Sequence, residues 1–366
     1  MRRVFPTTVS FCLLVLLFSL CPTPAISQDS PTPYSKTAPE SPQNADKGQT
    51  SKGYSLRDGN EPTGGNRPLE DFKSLNVASD LPFDVLALQD ADFSGYRKEL
   101  VRAQWRAGDP VDLYILRPAG VKKPPVVLYL YSYPTTLDRY MHPEVCQQLT
   151  KDGMAAIGFL PALTSDRFVA RPMKTWFVSE LQESLGTSVH DVQLILNYLE
   201  KRGDFDMSRV GMFGDGAGAT VAILAAAADP RIKVLDLLDP WGDWPDWMAK
   251  SSLVPENERP DYLKPEFLEK VQNLDPVKWL PELKSQHVRL QHIEDIKVTP
   301  AEVRKRLESA APPNVEIVHY ETTKSFLMDV AAKGKALDWL RDQLNGTATQ
   351  SASAPTPVRS DGAVLK

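Results

Sequence analysis

The sequence predicts an α/β protein with a mostly parallel central sheet, helices on both faces and a small helical, tryptophan-rich insertion. Three observations predict it. Short apolar runs alternate with stretches of helical periodicity through the middle of the 366-residue chain, the pattern of strands joined by helical crossovers. The run at 125–131, PVVLYLY, is apolar throughout, as expected of a strand covered on both sides. Four of the seven tryptophans, Trp241, Trp244, Trp247 and Trp279, fall within about 239–285, a stretch too long for a bare loop.

Taken in order, ELVRAQWR (99–106) and VDLYILRP (111–118) alternate in polarity and read as an antiparallel opening pair. The strand 125–131 follows, then a helix near 143–152 and a strand at 154–160. A helix near 187–202 carries Val192, Ile195, Leu196 and Leu199 on one face. The strand 209–213 leads into a helix near 217–228 and a strand at 232–238. Beyond the insertion come a strand at 287–293, a helix near 300–310, a strand at 315–320 and a last helix near 334–344. The insertion is expected over the carboxyl edge of the sheet, where sheets of this class bind ligands.

The ends of the chain have a different character. Arg2 and Arg3, an apolar core from Val9 to Leu20 and the small residues around Ala25 to Ser27 give residues 1–27 the layout of a cleaved export signal. The apolar core is shorter than the roughly 20 residues of a spanning helix. The expectation is an exported protein, periplasmic or secreted, with no transmembrane span after signal removal. Leu20 before Cys21 speaks against a lipid anchor there. Residues 28–70 and 345–366 are too rich in Pro, Ser and Gly to build a core and read as flexible tethers, leaving 71–344 as the folded domain.

Without Arg2 and Arg3 the chain keeps 40 basic side chains of its 42 against 47 acidic ones, a net charge of about −7. That argues against a nucleic-acid partner. Of three cysteines only Cys146 lies beyond the signal, so no internal disulfide is expected. Beside Val145 and Leu149 at helical spacing, Cys146 reads as a buried, inert thiol. Among His142, His190, His287, His292 and His319 there is no H-x-x-x-H or H-E-x-x-H grouping, so zinc hydrolysis has no sequence support. The glycines at 211–218 fit neither a dinucleotide fingerprint nor a phosphate loop, and no cofactor is expected. His190-Asp191 reads as the opening of its helix, and Asp166, Arg167, Arg171 and Pro172 as a solvated charged loop.

The stretch GMFGDGAGAT (211–220), with DVQLILNYLEKR before it and LLDPWGDW after it, resembles the central block of α/β-hydrolases. The esterase, dienelactone-hydrolase and prolyl-oligopeptidase-like branches are the most similar. The likeness covers most of residues 96–344 and implies the α/β-hydrolase fold. In that family a G-x-S-x-G turn between strand and helix carries the nucleophile. Gly214 and Gly218 match its small positions, and the serine position falls on Gly216. Choosing Asp215 as the nucleophile would put Phe213 at a small position, where it would crowd the bend. Glycine cannot form an acyl-enzyme, yet it tolerates backbone angles that strain a serine.

The other family positions are also altered. The acid-bearing segment resembles H-G-x-D-D-x-V-x-P, which places Ile296 in the acid slot and Asp295 one residue early. Some relatives carry the acid one strand earlier, where Asp239 stands. The histidine segment resembles Y-x-G-x-H-x-F and here runs from Tyr320 to Phe326, with Lys324 in the imidazole slot and Ser325 beside it. His319 reads as a residue of the preceding strand. The resemblance implies oxyanion donors at the amides of Ala217 and Tyr133, whereas Pro134 has none to give.

These residues predict a hydrolase-like protein without the Ser-His-Asp triad, a pseudo-hydrolase binding a small acyl or carbonyl ligand beneath the insertion. Trp241, Trp244 and Trp247 either fill the insertion's own core or line that pocket. One alternative is an active hydrolase with relocated groups, drawn from Asp215, Ser132, Lys324, Asp239 and Asp295. Another is a protein-interaction module of the cell envelope.

Overall fold

The computed structural model describes residues 74–76, 84–106, 109–133, 135–162, 167, 180–333 and 338–346. The export signal with Cys21, the first tether, all of the second beyond 346, Pro134, Asp166, Arg171 and Pro172 lie outside them. Nine strands form one sheet in the order β1-β2-β3-β5-β4-β6-β7-β8-β9. β1 (Asp84–Phe93), β2 (Tyr96–Gln104) and β3 (Val111–Pro118) are antiparallel neighbours. β3 also pairs antiparallel with β5 (Ala155–Gly158). The rest of the sheet is parallel: β4 (Pro125–Leu130), β6 (Asp206–Asp215), β7 (Ile232–Leu238), β8 (His287–Ile293) and β9 (Glu316–Tyr320).

The helices between them are α1 (Pro143–Thr150), α2 (Leu181–Arg202) and α3 (Ala217–Ala228). The insertion holds α4 (Trp244–Lys250), α5 (Arg259–Tyr262), α6 (Pro265–Val271) and α7 (Pro276–Trp279). Then come α8 (Ala301–Ala310), α9 (Thr323–Lys333) and α10 (Asp338–Asn345). Among the described residues, no helix is long and apolar enough to cross a membrane.

The period of two along a strand builds two cores. In β4, Val126, Leu128 and Leu130 face a core completed by α2, α3, α8 and the insertion. Val127, Tyr129 and, just past the strand, Tyr131 face a second core with α1, α9 and α10. All six β4 residues are buried, as its unbroken apolar run predicts. Close approach of α3 to the sheet depends on Gly218, where a Cβ would stand 2.5 Å from the Leu130 carbonyl carbon. Cys146 is buried as expected, and desolvation pushes its thiol up.

Several sequence expectations need correction. β1 was not anticipated: most of its side chains are exposed, so no buried face marks it. α2 begins six residues earlier than expected, which moves His190 and Asp191 from a helix start into the buried middle of a helix. There Asp191 accepts hydrogen bonds from Trp105 Nε1 at 2.8 Å and from Arg106 and Arg167. Arg167 also grips Asp109 through two bonds of 2.8 and 2.6 Å. It is therefore a buried anchor and not part of a solvated loop. α9 occupies a stretch to which no helix was assigned, and Asn345, grouped with the tail, closes α10.

The tryptophans of the insertion are packed inside it and against the sheet. Trp241, Trp244 and Trp247 are all buried to 1% exposure or less. Trp241 and Trp247 stack with ring centroids 4.8 Å apart, and Trp244 meets Trp247 edge-on at 5.9 Å. Such pairs add about 0.5–1.5 kcal/mol beyond area burial. Asp275 pins the assembly, accepting from the amides of Asp243, Trp244 and Val277 at 3.0–3.1 Å.

Candidate active site

β6 ends at Asp215 and α3 starts at Ala217, so Gly216 alone makes the bend. Its φ of 52° and ψ of −114° lie where side chains are strained. The bend is fixed by its backbone: Gly216 N–H donates to the Leu238 carbonyl at 2.8 Å, and the Gly216 carbonyl accepts from Thr220 N–H at 3.1 Å. The strand-to-helix bend is thus fixed by backbone hydrogen bonds, and its single residue carries no side chain.

The space beside Gly216 is filled from the neighbouring strand. A Cβ on Gly216 would overlap Ser132 Oγ, and would lie 2.8 Å from Ser132 Cβ and 3.1 Å from Trp241 Nε1. Ala217 N–H, the first amide of α3, donates to Ser132 Oγ at 3.3 Å. The amide assigned to an oxyanion therefore holds an oxygen of the chain itself. Sequence reasoning offered Ser132 only as a relocated catalytic group and missed this packing role. The available signal was its position, directly after a buried strand that must run beside the elbow. Tyr133, next to it, is half-buried, and desolvation pushes its phenol up.

Asp215 flanks the bend. Burial and the nearby Asp239 raise its carboxyl to about 7, against the opposing pull of Arg139 and the Ser132 amide. Arg139 was not anticipated. Its guanidinium lies 3.3 Å from the centre of the Tyr131 ring and donates to Thr135 Oγ1 at 2.7 Å.

Asp239, just past β7, has a φ of 43°, rare for a residue with a side chain. Its carboxylate accepts from Ile293 N–H at 3.3 and 3.2 Å and faces His292 Nδ1 at 3.4 Å. Burial raises its carboxyl, and His292 opposes the rise. This acid–imidazole pair is fully buried at the end of β8, and His292 Nε2 faces Glu308 at 3.5 Å.

The remaining sequence candidates have other engagements. Asp295 is exposed and accepts from both Thr323 N–H and Thr323 Oγ1 at 2.9 Å, tying the loop after β8 to the start of α9. Lys324 is exposed in the first turn of α9, and Ser325 Oγ donates to the Thr322 carbonyl at 2.7 Å. Ile296 is half-buried. His319 lies in β9 as expected and bonds Glu294 at 2.9 Å. The structure therefore groups Ser132, Asp215, Gly216, Ala217 and Trp241 at the elbow, with Asp239 behind them.

The sheet order, the one-residue elbow and the crossing helices define the α/β-hydrolase fold. Solved structures of esterases and peptidases share it. Acetyl xylan esterase 1 from Thermoanaerobacterium sp. JW/SL YS485 matches with a TM-score of 0.56 and 13% identity, over 72% of this chain and 88% of that one. The acetyl xylan esterase from Paenibacillus sp. R4 gives 0.54 and 17%, over 69% and 89%. The Pyrococcus horikoshii acylaminoacyl peptidase gives 0.53 and 14%, over 68% of this chain but only 41% of that one. No family model and no curated protein matches the chain. At these identities the likeness establishes the fold alone.

Proposed function

We propose that this is an exported, catalytically silent hydrolase-fold protein that binds a small acyl or carbonyl ligand at its elbow. The observation that carries the proposal is Gly216 with Ser132 in the space a nucleophile's side chain would need. Loss of the nucleophile or base from a serine triad lowers rates by roughly 10⁴- to 10⁶-fold. Here the three slots at 216, 296 and 324 hold glycine, isoleucine and lysine.

Ala217 N–H supports the binding half of the proposal. It sits at the positive end of a 12-residue helix and already holds a neutral oxygen. A ligand oxygen that displaces Ser132 Oγ gains the same donor and the same helix end. Trp241 borders that space. Export rests on the layout of residues 1–27, and the segments 28–70 and 347–366 then act as tethers.

Two measurements test this reading. Short-chain p-nitrophenyl esters should turn over at background rates in the wild type. In amide NMR, short-chain carboxylates and methyl ketones should shift the Ala217 resonance, and Ser132→Gly, which vacates that amide, should tighten binding. An Ala217 resonance indifferent to every such ligand would sink the binding half.

A second reading has one observation behind it. Ser132 Oγ lies beside the Ala217 amide, and burial with the nearby Asp239 raises the Asp215 carboxyl to about 7, where a carboxyl can serve as a general base. It predicts ester turnover that disappears in both Ser132→Ala and Asp215→Asn.

A further inference from the structure

Ser132 touches both sides of the elbow. Its Oγ accepts from Ala217 N–H at 3.3 Å, and its own amide hydrogen-bonds the Asp215 carboxyl. The amide nitrogen and the hydroxyl oxygen of one serine lie about 3 Å apart by covalent geometry. An oxygen that takes the place of Ser132 Oγ therefore stands within a few ångströms of Asp215.

The groups that face Asp215 leave little room for another negative charge. Asp239, just past β7, is a second buried carboxyl close enough to oppose its ionisation. Arg139 is the cation that favours it, and its guanidinium already lies on the Tyr131 ring and donates to Thr135 Oγ1 at 2.7 Å. Tyr131, just past β4, feels Asp215 in turn, and burial is the main cause that pushes its phenol up. His292 Nδ1 faces Asp239 at 3.4 Å, while its other ring nitrogen faces Glu308. The amino end of α3 adds about half a positive charge. Two acids and one guanidinium thus share this corner, and a ligand carboxylate would be a third acid. Carboxylates crowded together in a buried site relieve their repulsion by binding a proton.

We infer that Asp215 selects the ionisation state of what binds at the elbow: a carboxylate enters with one proton, shared between it and Asp215, and a neutral carbonyl enters alone. This selection rests on the elbow being a ligand site, as proposed. One carboxylate oxygen replaces Ser132 Oγ on Ala217 N–H. The second turns to Asp215 and accepts its proton in a charge-assisted O–H···O⁻ bond of about 2.5–2.7 Å. A methyl ketone in the same pose has a methyl group at that place and nothing to share a proton with. Solvent supplies the proton wherever Asp215 is ionised beforehand, which is above about pH 7. Carboxylate affinity is full below that pH and falls above it, by about tenfold per pH unit.

The test compares propionate with butanone, which share a chain and differ in the head group. Both are titrated into the full chain, as wild type and as Ser132→Gly, where the Ala217 amide is vacant. The Ala217 resonance reports affinity, and calorimetry in two buffers of different ionisation enthalpy reports proton uptake. From about pH 5.5 to about pH 8.5, propionate should weaken roughly 30-fold, and at the upper end it should take up about one proton. Butanone should change by less than about threefold and take up none. Asp215→Asn, whose amide cannot ionise, should hold propionate equally at both pH values, and Asp239→Asn should move the fall to lower pH. Butanone binding beside propionate binding that ignores pH would overturn the selection and leave the ligand site standing. An Ala217 resonance silent to both would overturn the ligand site and the selection with it. A propionate profile unchanged in folded Asp215→Asn would give the proton to another group and overturn the role of Asp215.

Discussion

Asp191 and Asp215 are two carboxyls drawn into one protein under opposite electrostatic balances. Burial opposes ionisation of Asp191, but Arg106 and Arg167 outweigh it and hold its carboxyl at about 2. At Asp215, burial and the neighbouring Asp239 win over Arg139 and hold the carboxyl up at about 7. Asp191 fastens α2 to the segments of Trp105, Arg106 and Arg167. Asp215 sits beside the Gly216 bend, where the Ser132 amide and Arg139 favour its charged form without outweighing burial. Folds keep unrelieved charges of this kind at functional sites.

The same kind of substitution should separate the two residues by sign. Asp191→Asn leaves buried guanidiniums short of a carboxylate and should lower stability by about 3–5 kcal/mol, read from urea midpoints at pH 7. Asp215→Asn should do the reverse. Its folded carboxyl titrates at about 7 against 3.8 for the free group, so the unfolded chain gives up that proton first. Wild-type stability should therefore fall between about pH 4 and pH 7 and level off above. The penalty at pH 8 is at most about 4 kcal/mol. Wild type and Asp215→Asn should match at pH 4 and diverge at pH 8, the variant being the more stable. Equal stabilities at both pH values would erase the contrast.

Smaller effects sharpen the elbow's side of the comparison. Gly218→Ala pushes a methyl into the Leu130 carbonyl and should cost about 1–3 kcal/mol by thermal unfolding. Asp295→Ala removes the acceptor for Thr323 N–H and should cost about 1 kcal/mol, with early fraying of α9 in amide exchange. That small loss would mark Asp295 as a cap and not as a triad acid.

Much of the sheet was legible because buried parallel strands such as β4 are apolar at every position. The elbow was legible because Gly214 and Gly218 satisfy a steric demand of the bend, whatever residue stands at 216. β1 was hidden because an exposed edge strand such as DVLALQDADF has no buried face to betray it. Asp191 was misplaced because α2 opens with Leu181, Gln182 and Glu183, before the periodic apolar face becomes clear. Ser132's packing role and Arg139's pull on Asp215 were hidden for another reason. Each arises from residues more than seventy positions away, and no local pattern records such a pairing.

Fluorophosphonate labelling of the intact protein, read by mass spectrometry, tests the central claim most directly. The account predicts an unmodified mass for the wild type under conditions that fully label an active serine hydrolase. A stoichiometric adduct mapped to Ser132, and absent from Ser132→Ala, would show that the serine beside Gly216 is a nucleophile and would contradict it.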